Sequence, residues 1–154
     1  MTKRFLMLPA ILLACLAAPA HGQSPLSLWV GVGRPVTTDS VSFSPKNLDA
    51  YAALQLDLPL LPFGVRADAT IAGGDIKQGR RNVSASAIIP LRLPIVEPYG
   101  MVGYGIYDWG KADEDRGINY GVGVRVHVAR LGVFAQVRRH EALKQSIGTL
   151  GMTF

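Results

Sequence analysis

The chain predicts an all-β protein: an eight-stranded, antiparallel, up-and-down transmembrane β-barrel. Three observations point there. Period-two alternation of apolar and polar residues recurs in eight segments, separated by turn clusters rich in Pro, Gly, Asp and Asn. No lysine falls within any of these segments, although a water-facing sheet would be rich in Lys and Glu; Lys46, Lys77, Lys111 and Lys144 lie in or beside connections. The chain also closes on Leu150-Gly151-Met152-Thr153-Phe154, with an apolar residue at every second place and nothing after it to cover that face.

Residues 1–22 read as a cleaved secretory signal peptide and residues 23–154 as the barrel domain. Lys3 and Arg4 form the positive region, and Phe5 to Leu16 is apolar apart from Pro9. Cleavage after Ala20 or after Gly22 satisfies the small-residue rule. The apolar stretch is short for a span of about 20 residues and meets Pro19 at once, which disfavours a retained helical anchor. Cys15, the only cysteine, lies in this segment. Leu12-Leu13-Ala14-Cys15 is a passable acylation site, although the cleavage frames beyond it would then have no purpose. Loss of Lys3 and Arg4 lowers the formal charge from +5 to +3, which removes most support for nucleic-acid binding. Without Cys15 there is no disulfide and no thiolate zinc site.

The first strand, Leu26 to Arg34, sets Leu28, Val30 and Val32 against Trp29, Gly31 and Gly33. Asp49 to Leu58 sets Leu54, Leu56 and Leu58 against Tyr51, Gln55 and Asp57. Phe63 to Ile71 places Phe63, Val65, Ala67, Ala69 and Ile71 opposite Arg66, Asp68 and Thr70. In Val83 to Leu93 the alternate aliphatics face Ser84, Ser86 and Arg92. Tyr99 to Trp109 carries aromatic and apolar residues on both faces, so its orientation is undecided. Ile118 to Val128 alternates most cleanly, with Ile118, Tyr120, Val122, Val124, Val126 and Val128 against Asn119, Gly121, Gly123, Arg125 and His127. Leu131 to His140 and Gln145 to Phe154 complete the set. Leu60-Leu61, Pro94 to Pro98 and Ala129-Arg130 are tight connections, whereas Pro35 to Leu48, Ala72 to Arg81 and Gly110 to Arg116 are longer and more polar. Short turns on one side and longer loops on the other suit an outer-membrane barrel with both termini on the periplasmic side.

The polar face decides between a membrane barrel and a soluble periplasmic one of lipocalin type, which has the opposite polarity. That face carries small residues, three aspartates (Asp49, Asp57, Asp68) and four arginines (Arg66, Arg92, Arg125, Arg138). Arginine's planar fork can meet two oxygens and stays charged, so a narrow, ion-paired lumen is expected. The expected lumen network is Asp57, Arg66, Asp68, Arg92, Arg125, His127 and Arg138. Within it, Asp57, Arg66, Arg92, Arg125 and His127 should form a plug in the periplasmic half. Eight strands leave room only for side chains, which argues against an open pore. Phe63 and Phe154 at one end, with Tyr107, Trp109 and Tyr120 at the other, are expected as interfacial aromatic girdles.

The stretches Glu97-Pro98-Tyr99-Gly100-Met101-Val102-Gly103-Tyr104-Gly105, Tyr120-Gly121-Val122-Gly123-Val124-Arg125 and Gly151-Met152-Thr153-Phe154 resemble the OmpA-like and OmpX-like family of small outer-membrane barrels, often called the porin family. The likeness covers essentially the whole mature chain, with Met152 standing where an aromatic is common. It implies insertion by the barrel-assembly machinery through the C-terminal strand, and it carries over no catalytic residues.

Activity is less legible. Outer-membrane lipid A deacylases use a Ser, a His and a Glu near the outer rim, and His140, Glu141 and Ser146 are the residues that could imitate them. The close His-x-Ser spacing is absent because Ala142 follows Glu141. No metal site is expected, since no second ligand stands at suitable spacing from His127, and the acidic run Asp113-Glu114-Asp115 reads as a solvated loop. Three Gly-x-Gly stretches lie inside strands with no helix following, so they are not phosphate loops. No cofactor is implied. Arg80, Arg81 and Arg139 are candidate contacts to anionic lipopolysaccharide. The resulting expectation is a monomeric, non-enzymatic barrel of the cell outer membrane with a structural or interaction role. A narrow solute channel, a lipid hydrolase and a soluble binding barrel are the alternatives.

Overall fold

A computed structural model describes residues 25–36, 48–58, 61–71, 80–128 and 131–154. The signal segment, with Cys15 and both cleavage frames, lies outside these residues, as does the Ala129-Arg130 turn. Eight strands follow one another along the chain: β1 (Leu26–Pro35), β2 (Asp49–Asp57), β3 (Gly64–Ile71), β4 (Arg81–Pro90), β5 (Val96–Tyr107), β6 (Asp115–Val128), β7 (Leu131–His140) and β8 (Gln145–Thr153). Each pairs antiparallel with its sequence neighbours, and β1 pairs with β8 to close the barrel. Among the described residues no helix is long and apolar enough to cross a membrane, so any crossing that these residues make is made by strands.

The two faces of the wall are those expected of a membrane barrel. Outward stand Val30, Val32, Leu54, Leu56, Val65, Ile89, Val102, Val122, Val133, Val137 and Leu150, all substantially exposed. Inward stand Trp29, Gln55, Arg66, Asp68, Arg125, Gln136 and Arg138, all buried. A lipocalin-type arrangement would enclose those aliphatic side chains and expose the ion pairs, so the soluble alternative does not describe this wall. So large an unbroken apolar exterior calls for hydrocarbon around it.

β5 settles the orientation left open by its sequence. Glu97, Tyr99, Met101, Gly105 and Tyr107 face inward, while Val102 and Tyr104 face outward. Both faces look apolar because, beyond Glu97, the inward side chains are Tyr99, Met101 and Tyr107 and carry no charge. Pairing fixes the parity: Gly103 opposes Ser86 on β4 and Asn119 on β6, both of which point into the barrel. Tyr107 is therefore a lumen residue and not part of an interfacial girdle. Its exposure is 0%, against 58% for Trp109 only two residues later.

Two lumen glycines show how tightly the interior is filled. A Cβ at Gly151 would press on the Val30 carbonyl oxygen across the β1–β8 seam, and one at Gly123 would overlap the Tyr99 ring. Close packing of this kind is what an eight-stranded interior requires.

Candidate functional site: the filled lumen and the loop rim

Three arginines divide the lumen into layers. Near the tight-turn end, Arg125 pairs with Glu97 on the adjacent strand at 2.5 Å, and both side chains are about nine-tenths buried. His127 Nε2 lies 3.9 Å from the other oxygen of Glu97 and is more exposed. Arg125 Nε has no partner.

The middle layer is built around Arg66, whose exposure is 0%. Its Nε and Nη2 donate to Gln55 Oε1 at 3.0 and 2.6 Å, and its Nη1 donates to Gln136 Oε1 at 2.9 Å. The Tyr99 hydroxyl also donates to Gln136 Oε1, at 3.2 Å. Gln55 in turn donates to Asp57 at 2.7 Å, so Asp57 reaches Arg66 only through an amide. The guanidinium carbon sits 3.8 Å from the centroid of Trp29, which is itself packed against Phe134 at 4.7 Å and Tyr99 at 5.7 Å. A desolvated cation over an indole face gains about 2 kcal/mol, and guanidinium is the basic group that loses water most readily. An aromatic face and neutral amides thus hold a charge that the sequence assigned to aspartate.

Toward the longer loops, Arg138 Nη1 donates to both oxygens of Asp68 and to Ser84 Oγ, each at 2.9 Å. The two charged side chains are 3% and 4% exposed. Arg138 Nε meets Met101 Sδ at 3.1 Å, while Arg138 Nη2 and the nearby Tyr51 hydroxyl have no partner. Beyond this layer the Tyr107 hydroxyl sits 2.9 Å from His140 Nδ1 and accepts from Asn119 at 3.4 Å.

Of the expected lumen residues, Asp68 with Arg138 and Arg125 with His127 are brought together, and Asp57 with Arg66 are bridged. Arg92 is not among them: β4 ends at Pro90, which has no N–H for the ladder, and Arg92 stands exposed in the turn that follows. Arg66 is the third residue of β3 counted from its tight-turn end, and Arg125 and His127 stand close to the tight-turn end of β6. Sequence reasoning passed over Trp29, Gln55, Tyr99 and Gln136 as lumen-site residues and noted Glu97 only in a motif. Their inward parity was the available signal.

His140 and Ser146 do not form a hydrolytic pair. His140 points into the lumen, and Ser146, opposite Arg139 in the register, lies on the outer face of the wall. Among the described residues no group of three or more His, Cys, Asp or Glu could hold a metal ion.

At the loop end, Asp108 receives Arg80 Nε at 3.0 Å and Lys111 Nζ at 3.1 Å. Burial raises the Asp108 carboxyl, but the hydrogen bonds and charges of Lys111 and Arg80 outweigh it and hold it below the usual carboxylate range. Asp108 has φ +55°, a left-handed conformation that aspartate tolerates better than most side chains. Arg81, Arg139, Trp109 and Tyr120 stand on the outside near this end, and Phe63 and Phe154 stand on the outside at the other. Arg139 Nε is 3.6 Å from Glu141, which accepts from the Tyr120 hydroxyl at 2.9 Å.

This geometry has counterparts among solved structures. A de novo designed transmembrane β-barrel superimposes with a TM-score of 0.65 at 14% identity, covering 87% of this chain and 97% of the design. The fold is that of the transmembrane β-barrels. The N-terminal barrel of Pseudomonas aeruginosa OprF matches at 0.63 and 14% identity, covering 87% of this chain and 98% of that one. The attachment invasion locus protein Ail of Yersinia pestis matches at 0.51 and 17%, covering 84% and 96%. No family model and no curated relative matches the sequence.

Proposed function

We propose that the protein is a closed barrel of a bacterial outer membrane, with a structural or interaction role carried by its loops. The observation that carries this reading is the filled lumen. Arg125 with Glu97, Arg66 on Trp29, and Arg138 with Asp68 occupy successive levels of an interior only eight strands wide. Transport through the lumen would have to break buried ion pairs, and His140 faces that lumen whereas Ser146 lies on the outer wall. The apolar exterior and the likeness to the OprF and Ail barrels support the membrane placement. Arg80, Arg81 and Arg139 at the loop end are the groups through which the rim meets anionic lipopolysaccharide, and insertion relies on the barrel-assembly machinery.

Reconstitution into planar bilayers tests the closed lumen. The folded protein, verified by heat-modifiable migration on gels, is expected to give no steady conductance; a stable open level would overturn the reading. Replacing Arg80 and Arg81 by Gln should lower association with lipopolysaccharide, and unchanged association would remove the rim from the proposal.

A further inference from the structure

The outer wall is not evenly filled. Two neighbouring rows of outward side chains cross β4 to β8. One runs Ser146, Arg139, Tyr120, Val102, and the next runs Gly148, Val137, Val122, Gly100, Ile89. Every large member of the second row is well exposed, with Ile89 at 61% and Val122 at 67%, whereas Gly100 between them has no side chain and a Cβ there would meet nothing within 4 Å. The gap opens a groove of about 460 Å³ bounded by Ile89, Val102, Val122 and Val137, with Tyr120, Arg139 and Ser146 at its loop end. That volume falls within the roughly 300–1,000 Å³ of small-molecule sites.

The chemistry of the groove changes along its length. Its floor and walls toward the barrel middle are aliphatic. Its loop end presents the Arg139 guanidinium, whose Nε lies 3.6 Å from Glu141, beside the Tyr120 and Ser146 hydroxyls. A ligand complementary to both ends has an anionic head and an alkyl tail lying along the wall.

We propose that this groove is a specific site for one phosphorylated, acylated glycolipid of the outer leaflet. One acyl chain lies over Gly100 between Ile89 and Val122, and a phosphate meets the Nη groups of Arg139. The proposal rests on the outer-membrane reading and deepens it at one of the three rim arginines: Arg80 and Arg81 make diffuse contacts, whereas Arg139 belongs to a shaped site with a single occupant. Arginine suits a phosphate because two of its N–H groups can meet two oxygens.

The test is native mass spectrometry of the folded full barrel released from micelles doped with lipid A, with phosphatidylglycerol or with phosphatidylcholine. Wild type should retain one lipid A in preference to either phospholipid. Arg139→Gln should weaken retention about fivefold, as expected for one arginine at an anionic lipid surface. Gly100→Leu should abolish the one-lipid peak by filling the groove while leaving heat-modifiable migration unchanged. Retention unaffected by Gly100→Leu would overturn the site, and equal retention of phosphatidylglycerol would overturn the glycolipid assignment. Either result leaves the rim reading intact, because that reading is tested separately by Arg80→Gln with Arg81→Gln.

Discussion

Replacing Asp68 by Ala should be among the most damaging single changes in the lumen. It removes the carboxylate that receives two 2.9 Å bonds from Arg138, while the guanidinium stays 97% enclosed. Only Ser84 Oγ and Met101 Sδ would then remain to Arg138, and its Nη2 already lacks a partner. Orphaning one member of a buried pair costs about 3–5 kcal/mol, a large share of a stability of about 5–15 kcal/mol. Arg138→Met together with Asp68→Ala should recover most of the loss, because no uncompensated charge is left. Arg66→Met is the contrasting case. It gives up charged hydrogen bonds to two amides, each worth about 1.5–3 kcal/mol, and strands no ion. Urea titration of the protein folded in phosphocholine vesicles, followed by the emission of the enclosed Trp29 and by gel migration, measures all three. A loss below about 1 kcal/mol for Asp68→Ala, or a double variant no better than the single, would refute the reasoning.

Three further outcomes follow from the same structure. Asp108 has its carboxyl held down, so its contribution is complete above the ordinary value of 3.8 and is lost as pH falls through the lower folded value. Asp108→Asn, which keeps the left-handed backbone accessible, should abolish the acid-dependent rise in protease cleavage of the loop between β5 and β6. Gly123→Ala should destabilise by about 1–3 kcal/mol through overlap with the Tyr99 ring, whereas Gly100→Ala should be within about 0.5 kcal/mol of wild type; equal unfolding midpoints would contradict the assigned faces. Tyr107→Phe should leave iodide quenching of the exposed Trp109 unchanged while lowering stability by about 1 kcal/mol through the lost bond to His140, and a change in quenching would argue for an interfacial ring instead.

The strands were legible because each has two unlike faces, and β6 shows it best: every even residue from Ile118 to Val126 faces out and every odd one from Asn119 to His127 faces in. β5 was not legible, since parity means little where Tyr99 and Met101 are as apolar as Val102 and Tyr104. Only hydrogen-bond register with its neighbours fixes it. Arg92 was misplaced because alternation continues in the letters past Pro90 although the strand ends there. The lumen was half visible. Charges announce themselves, so Asp68 and Arg138 were found, but Gln55 and Gln136 carry no charge and look like ordinary polar wall residues until Arg66 is seen between them. Trp29 was similarly silent, because a lone aromatic among glycines gives no hint that a cation lies on its face.

The seam between β1 and β8 joins segments more than a hundred residues apart, from Trp29 opposite Thr153 to Pro35 opposite Ile147. Every other ladder is a hairpin, formed between strands adjacent along the chain. Hairpins can assemble early because little chain entropy is lost in bringing their arms together, whereas this last join must wait for the whole sheet to curl. Until then both rims offer unsatisfied N–H and C=O groups, which hydrocarbon tolerates poorly. Slow closure at this one seam, and not the making of individual turns, should therefore set the pace at which the molecule matures, and weakening Gly31–Gly151 contact there should delay folding far more than an equal insult at a hairpin.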